Sequence, residues 1–201
     1  TQVKRQLNVL VLGGNGFIGR QIVLQLAGKA KVTIGTRSAT QQANQLTIRM
    51  QHMLKVEDWL PVLQVVDVVV NAVGILRERK QESYAQVHTQ AVAALANACA
   101  ITGTRLIQIS ALGLSMQAQS RFIRSKYLGE QAIIASGAEA CIVRPSLLDG
   151  EGGYGAKWCR RVATWPVQFV MQSPGLVAPL QVADLGEAVA NLCLLPAAQL
   201  P

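Results

Sequence analysis

Residues 9–19, VLVLGGNGFIG, run an apolar segment straight into three glycines at positions 13, 16 and 19. The apolar run Leu7–Leu12 predicts a strand buried on both faces, and Phe17–Leu26 has the period of a helix packed against it. Strand, glycine turn and helix in that order give each glycine a task. Gly13 lets the chain turn sharply, Gly16 lets backbone N–H groups approach a pyrophosphate, and Gly19 lets the helix lie close on the strand. Phe17 and Ile18 open the helix, whose N-terminus adds partial positive charge. The unit therefore predicts a dinucleotide site; the same three glycines without flanking strand and helix would mean only a tight turn.

At 201 residues, half of them hydrophobic, the chain is long enough for one core and calls for no second one, so residues 1–201 read as a single domain. Cys99, Cys141, Cys159 and Cys193 are widely spaced, and three of them lie in apolar periodic segments, which suits reduced thiols in a cytoplasmic protein better than a disulfide or zinc framework. No signal-like segment opens the sequence. The longest apolar run, 60–76, carries Pro61, Asp67 and Asn71, which argues against a membrane span. The initial Thr and the closing LLPAAQLP suggest a clipped chain with a C-terminal remainder to be expected. The net charge of +8 is spread from Lys4 to Arg161 instead of forming a block, so a solvated basic surface is the plain reading. With 4% aromatic residues there is little for bases to stack on, and no nucleic-acid partner is expected.

Strands and helices go on alternating after the first unit. Ala30–Thr36, Val65–Val73, Arg105–Ser110 and Ala140–Val143 read as strands, with Leu46–Met50 a weaker one. Helical periods cover Glu57–Leu63, Tyr84–Ile101, Gln119–Ser136 and Asp184–Leu195. This alternation predicts an α/β fold, a doubly wound parallel sheet of Rossmann type whose cleft lies at the carboxyl ends of the strands. Residues 149–180 break the pattern and carry Tyr154, Trp158, Trp165 and Phe169. They read as a small C-terminal substrate or lid region, or as a packed surface excursion.

At the end of the second predicted strand, where an acid would bind both ribose hydroxyls of NAD(H), the chain has Thr36-Arg37-Ser38. A guanidinium there suits a 2′-phosphate, with Thr36 and Ser38 as further donors, so NADP(H) is favoured and NAD(H) remains possible. The alternative is a surface arginine after a strand.

Taken together, GGNGFIG, NAVG at 71–74, ISALG at 109–113, SRFIRSKYLGEQA at 120–132 and VRPSLLDG at 143–150 resemble an atypical short-chain dehydrogenase/reductase. Within that family the chain is similar to the bacterial relatives of the 39-kilodalton accessory subunit of respiratory complex I, also described as NAD(P)-binding or nucleoside-diphosphate-sugar epimerase-like. The resemblance covers nearly the whole chain. It implies that Asn71, Ala72, Val73 and Gly74 pass beside the adenosine ribose and phosphates, and that Pro145 lies near the nicotinamide. Read without the family, NAVG is a strand end with a turn and Arg144-Pro145 ends a strand.

The family's reactive centre is a Ser followed by Tyr-x-x-x-Lys on the next helix. The Tyr hydroxyl exchanges a proton with the substrate oxygen, the ammonium lowers its pKa from about 10, and the same Lys holds ribose hydroxyls. Ser110 matches the Ser and Lys126 the Lys, but the Tyr position is Phe122, which has no proton to give. Tyr127 points about a quarter-turn away from Lys126 on a helix, and nothing in the sequence places Tyr84 or Tyr154 in the cleft. His88 reads as a hydrogen-bonded structural histidine, with a cleft-lining role as the alternative. Asp184, three residues before Glu187, has N-cap and capping-box character. No metal-ligand spacing is seen. The reading that results is an NADP(H)-binding protein with weak or no classical carbonyl reduction, serving as a sensor or a partner of another protein. The alternative is an active oxidoreductase or epimerase-like enzyme acting on an unknown small molecule with another proton donor.

Overall fold

A computed structural model describes residues 5–38, 41–111, 113–145, 148–149 and 180–199. Its centre is a six-stranded parallel sheet in the order β3-β2-β1-β4-β5-β6. The strands are β1 (Asn8–Leu12), β2 (Lys31–Thr36), β3 (Gln45–Thr47), β4 (Val68–Asn71), β5 (Arg105–Ile109) and β6 (Ala140–Val143). The order reverses between β1 and β4, and this switch point is where open sheets of this kind form their cleft.

Alternation along β1 explains the two-sided winding. Leu10 and Leu12 face a core with Trp59 and Leu63 of α2 (Val56–Leu63), Leu95 of α3 (Ala91–Thr102) and Ile133 of α4 (Arg121–Ser136). Val9 and Val11 face a second core with Ile22 and Leu26 of α1 (Gly19–Leu26) and Leu185 and Val189 of α5 (Val182–Leu194). Successive side chains of a strand point to opposite faces, so a strand apolar at every position needs helices on both sides. The expected doubly wound α/β fold is what forms.

Several boundaries differ from the sequence reading. Val65–Val73 shortens to β4 because Val65 is exposed, Asp67 accepts the Asn8 N–H at 2.8 Å, and Asn71 Oδ1 accepts the Val73 N–H at 3.1 Å, turning the chain out of the sheet. Leu46–Met50 becomes β3 followed by a 3-10 turn, Met50–His52. The helix predicted over Tyr84–Ile101 is a π-helical segment, Ala85–Gln90, running into α3. Asp184 does not cap α5. The helix starts two residues earlier, at Val182 after the N-cap Gln181, with Val182 already buried and Leu185 packed in the core against the sheet, and Asp184 lies in the first turn near the positive end of the helix dipole.

Two short strands, β7 (Leu148–Asp149) and β8 (Leu180–Gln181), pair in parallel. The expected lid, 149–180, otherwise lies outside the described residues, as do Tyr154 and Cys159. Among the described residues, no helix is long and apolar enough to cross a membrane.

Candidate functional site

The glycine turn sits at the carboxyl end of β1. Gly13 has φ +74°, the left-handed region that favours glycine. Its N–H donates to Gly35 O at 2.9 Å, and its carbonyl accepts the Gly16 N–H at 2.9 Å. A Cβ built on Gly19 would stand 2.1 Å from that same Gly13 carbonyl oxygen, so only glycine lets the start of α1 press on the turn. No side chain caps α1 and no acid occupies its first turn. The positive end of the helix is thus left for an anion.

Above this turn opens a cleft of about 1110 Å³. Gly13, Gly16, Thr36, Arg37, Ser38, Ala72, Val73 and Gly74, all singled out in the sequence, line it together. They come from the ends of β1, β2 and β4, and are gathered because parallel strands end on the same edge of the sheet. Phe17, Ile18 and Gly19 build the turn below the cleft, and Pro145 follows β6 at the far side of the sheet.

Ser110 and Lys126 line a second, smaller recess beyond Val73, with Gln108, His88 and Glu130. Ser110 is buried just past β5, and its N–H donates to Val143 O at 2.8 Å. Lys126 projects from α4 to the loop after β4, where a Cβ on Gly74 would lie 3.6 Å from Nζ. Burial pushes the Lys126 pKa below its usual value, while Glu130 one turn on acts in the opposite sense. Glu130 is itself held by Arg144, whose Nε and Nη2 bind its carboxylate at 2.7–3.1 Å. That pair ties the end of β6 to α4. The i, i+4, i+8 spacing of Phe122, Lys126 and Glu130 puts ring, ammonium and carboxylate on one helix face. Lys126 Nζ lies 5.6 Å from the Phe122 ring centroid.

The other wall of the recess is His88, on the π-helical segment. Extra-residue turns of this kind are rare and often found at functional sites. Here the wider turn brings the His88 carbonyl against α4, where a Cβ on Gly129 would come within 2.1 Å of it. His88 Nε2 accepts the Ile75 N–H at 3.1 Å, which leaves the proton on Nδ1, 3.0 Å from Ser125 Oγ. Ser125 Oγ in turn donates to Phe122 O at 2.7 Å. The Tyr84 ring stacks on His88 at 5.5 Å, and Phe122 meets both rings edge-on at 5.3 and 5.6 Å. Burial, with the Lys126 charge second, drives the His88 pKa down to about 3, so the ring is neutral. His88 is therefore the hydrogen-bonded structural residue expected of it, and it lines the small recess without reaching the wall of the large cleft.

The sequence reading missed the loop after β4. Ile75 to Arg79 and Glu82 line the large cleft, and Glu82 Oε2 stands 4.0 Å from Arg37 Nη1. The end of β2 lacks an acid, as read, yet the cleft holds one from elsewhere. No sequence signal marks Glu82 as a cleft residue. Cys99 and Cys193 are buried, with thiol pKa values pushed up to about 12, so neither is a nucleophile; Cys141 is also shifted upward by burial. Among the described residues, no cluster of three or more His, Cys, Asp or Glu could hold a metal ion.

A family model described as NAD(P)H-binding, NAD_binding_10, matches residues 13–161, and the chain belongs to that family. Ceramide reductase of Caulobacter vibrioides is 28% identical over 131 residues, 65% of this chain and 41% of the relative. The mitochondrial NADH dehydrogenase [ubiquinone] 1 alpha subcomplex subunit 9 of Arabidopsis thaliana is 30% identical over 152 residues, 70% of this chain and 38% of the relative. The chain thus spans less than half the length of these two relatives. Among solved structures, dTDP-4-dehydrorhamnose reductase of Bacillus anthracis in complex with NADP shares the fold, with a TM-score of 0.67 at 18% identity over 96% of this chain and 72% of that one. The expected kinship with a complex I accessory subunit and with epimerase- and reductase-like folds holds.

Proposed function

We propose that this member of the NAD(P)H-binding family takes NADP(H) in preference to NAD(H) and performs little or no carbonyl reduction by the Ser-Tyr-Lys route. The observation that carries the cofactor reading is the single cleft shared by Gly13, Gly16, Thr36, Arg37, Ser38 and Ala72 to Gly74. The glycine turn and the uncapped start of α1, at Phe17, Ile18 and Gly19, receive the pyrophosphate. Arg37, with Thr36 and Ser38, receives the 2′-phosphate through charge-assisted hydrogen bonds. Lys126 reaches the ribose side of Gly74, and Pro145 borders the nicotinamide end. When bound, the dinucleotide supplies or accepts a hydride.

Phe122 is what supports the reading of little ordinary turnover. It occupies the position one turn before Lys126, and its ring is packed edge-on against His88 and Tyr84. Neither ring offers a proton there. His88 is neutral with Nε2 already accepting from Ile75, and the Tyr84 hydroxyl donates to Leu76 O at 2.8 Å. A positioned acid contributes roughly 10²–10⁴-fold to such a reaction. Its loss leaves a cofactor-binding protein suited to sensing or to a protein partner. A second reading, an active oxidoreductase, is favoured by Lys126 itself, a half-buried amine of lowered pKa beside Ser110.

Calorimetric titration with NADPH and NADH tests the cleft, and NADPH oxidation with a carbonyl panel tests the chemistry. Wild type is expected to bind NADPH and to turn over little. Gly16→Val, whose Cβ starts only 3.1 Å from Gly13 O, is expected to fold and lose binding. Phe122→Tyr is expected to gain turnover that Lys126→Ala removes. Normal NADPH binding by Gly16→Val would overturn the cleft assignment. Rapid wild-type turnover, not increased in Phe122→Tyr, would favour the second reading.

A further inference from the structure

The loop after β4 is held at several points. Tyr84 O–H donates to Leu76 O at 2.8 Å and Tyr84 N–H to Glu78 Oε1 at 3.0 Å, while the Arg121 guanidinium binds the other Glu78 oxygen. At the tip, Arg79 and Glu82 exchange both backbone hydrogen bonds, at 2.9 and 3.0 Å. This fold-back fixes where Glu82 points. Its side chain is 9% exposed on the cleft wall and faces Arg37, which is 61% exposed at the end of β2. At 4.0 Å the two make an ion pair through space, without the short contact of a bidentate hydrogen bond. Each charge therefore keeps its hydrogen-bonding capacity for something else in the cleft.

We propose, resting on the cofactor reading above, that Glu82 and Arg37 form a two-sided selector for the adenosine ribose. A carboxylate accepts hydrogen bonds from free 2′- and 3′-hydroxyls and repels a 2′-phosphate; a guanidinium does the reverse. Ordinarily the acid that reads the hydroxyls sits at the end of the second strand. In this chain the two devices are split between β2 and the 76–82 fold-back and face each other. Arg37 draws NADP(H), and Glu82 holds that preference down and keeps the cleft open to NAD(H). Glu82 is thus a specificity-determining residue, and the loop that carries it belongs to the binding site.

The test measures dissociation constants of NADPH and NADH for wild type, Glu82→Gln, Arg37→Gln and the double variant. Adenosine 2′,5′-bisphosphate and AMP serve as probes of the ribose end alone. Glu82→Gln is nearly isosteric and keeps the backbone bridge to Arg79. It is expected to shift the NADPH-to-NADH preference toward NADPH by about tenfold or more, since like charges at this range interact strongly outside bulk water. It should tighten adenosine 2′,5′-bisphosphate without tightening AMP. Arg37→Gln is expected to shift preference the other way, and the double variant to bind the two cofactors alike. An unchanged preference in Glu82→Gln, in a protein that binds both cofactors, overturns the selector and leaves the cleft reading standing. A wild type that binds neither cofactor overturns both.

Discussion

The neutral, buried His88 makes the stability of this domain depend on pH in a window where few other groups titrate. In the folded chain its pKa is lowered from 6.5 to about 3, mainly because burial penalises the imidazolium and secondly because Lys126 repels it. The unfolded chain takes up a proton on this ring near pH 6.5; the folded chain refuses it until about pH 3. The His88 contribution is thus fully present above pH 6.5 and is lost as pH falls toward 3. The limiting slope is about 1.36 kcal/mol per pH unit, which gives a loss of roughly 2 kcal/mol between pH 7 and pH 5. Against a domain stability of about 5–15 kcal/mol that is readily measured.

Urea unfolding of wild type and His88→Gln at pH 7, 6 and 5 checks it. Glutamine can still offer an oxygen to the Ile75 N–H but loses the Ser125 hydrogen bond and the stack with Tyr84. It is expected to cost about 1–3 kcal/mol at pH 7 and to flatten the acid slope. The gap between the two proteins should therefore narrow by roughly 2 kcal/mol at pH 5. His52, the only other histidine, is exposed, and His52→Gln serves as control. Identical slopes for wild type and His88→Gln between pH 7 and 5 would refute the claim that the fold excludes this proton.

Gly19→Ala is expected to lower the melting temperature and weaken NADPH binding together, because its Cβ meets Gly13 O at 2.1 Å; overpacking of this kind costs about 1–3 kcal/mol or more, and calorimetry reads both. Arg144→Ala should destabilise more than Glu130→Ala in chemical unfolding. The Glu130 side chain is 4% exposed and is left without its main partner, at a cost of about 3–5 kcal/mol, whereas Arg144, 48% exposed, can turn to water. Lys126→Ala should weaken NADPH by about 1.5–3 kcal/mol in the same titration that leaves exposed Lys31→Ala unchanged.

How far the sequence carries depends on whether a feature is written in side chains or in backbone geometry. β6 emerges with its expected bounds because Ala140–Val143 is a short apolar run between a helix-ending Gly137 and the Arg144-Pro145 stop. The glycine turn and the cleft residues on β1, β2 and β4 are legible because a parallel sheet fixes which ends meet. The π-helical segment is not legible. Inserting a residue into a helical ladder hardly alters apolar spacing over two turns, so Tyr84–Ile101 reads as one α-helix. Glu82 is hidden for a different reason. Its place in the cleft follows from Tyr84 holding Leu76 and Arg121 holding Glu78, contacts between residues 8 and 43 apart that no local pattern encodes. The early start of α5 is likewise tertiary, set by the burial of Val182 and the packing of Leu185 on the sheet.

Phe122 connects these observations. A phenol at that position would need a partner for its hydroxyl inside a cluster where His88 Nε2 is taken by Ile75 and His88 Nδ1 by Ser125. The phenyl ring asks for nothing, and it packs its edge against two rings whose own polar atoms point elsewhere. Lys126 is left facing an apolar ring and a carboxylate already engaged by Arg144. Its charge is consequently less stabilised by the protein than a phenolate-paired ammonium would be. On the proposed reading, an anionic or hydroxyl-rich ligand on the Gly74 side, 3.6 Å from Nζ for a Cβ built there, would supply that stabilisation. On the proposed reading, the helix face that in the resembling family serves both proton transfer and ribose binding keeps Lys126 for binding, while Phe122 stands in the place of the proton donor and packs against His88 and Tyr84.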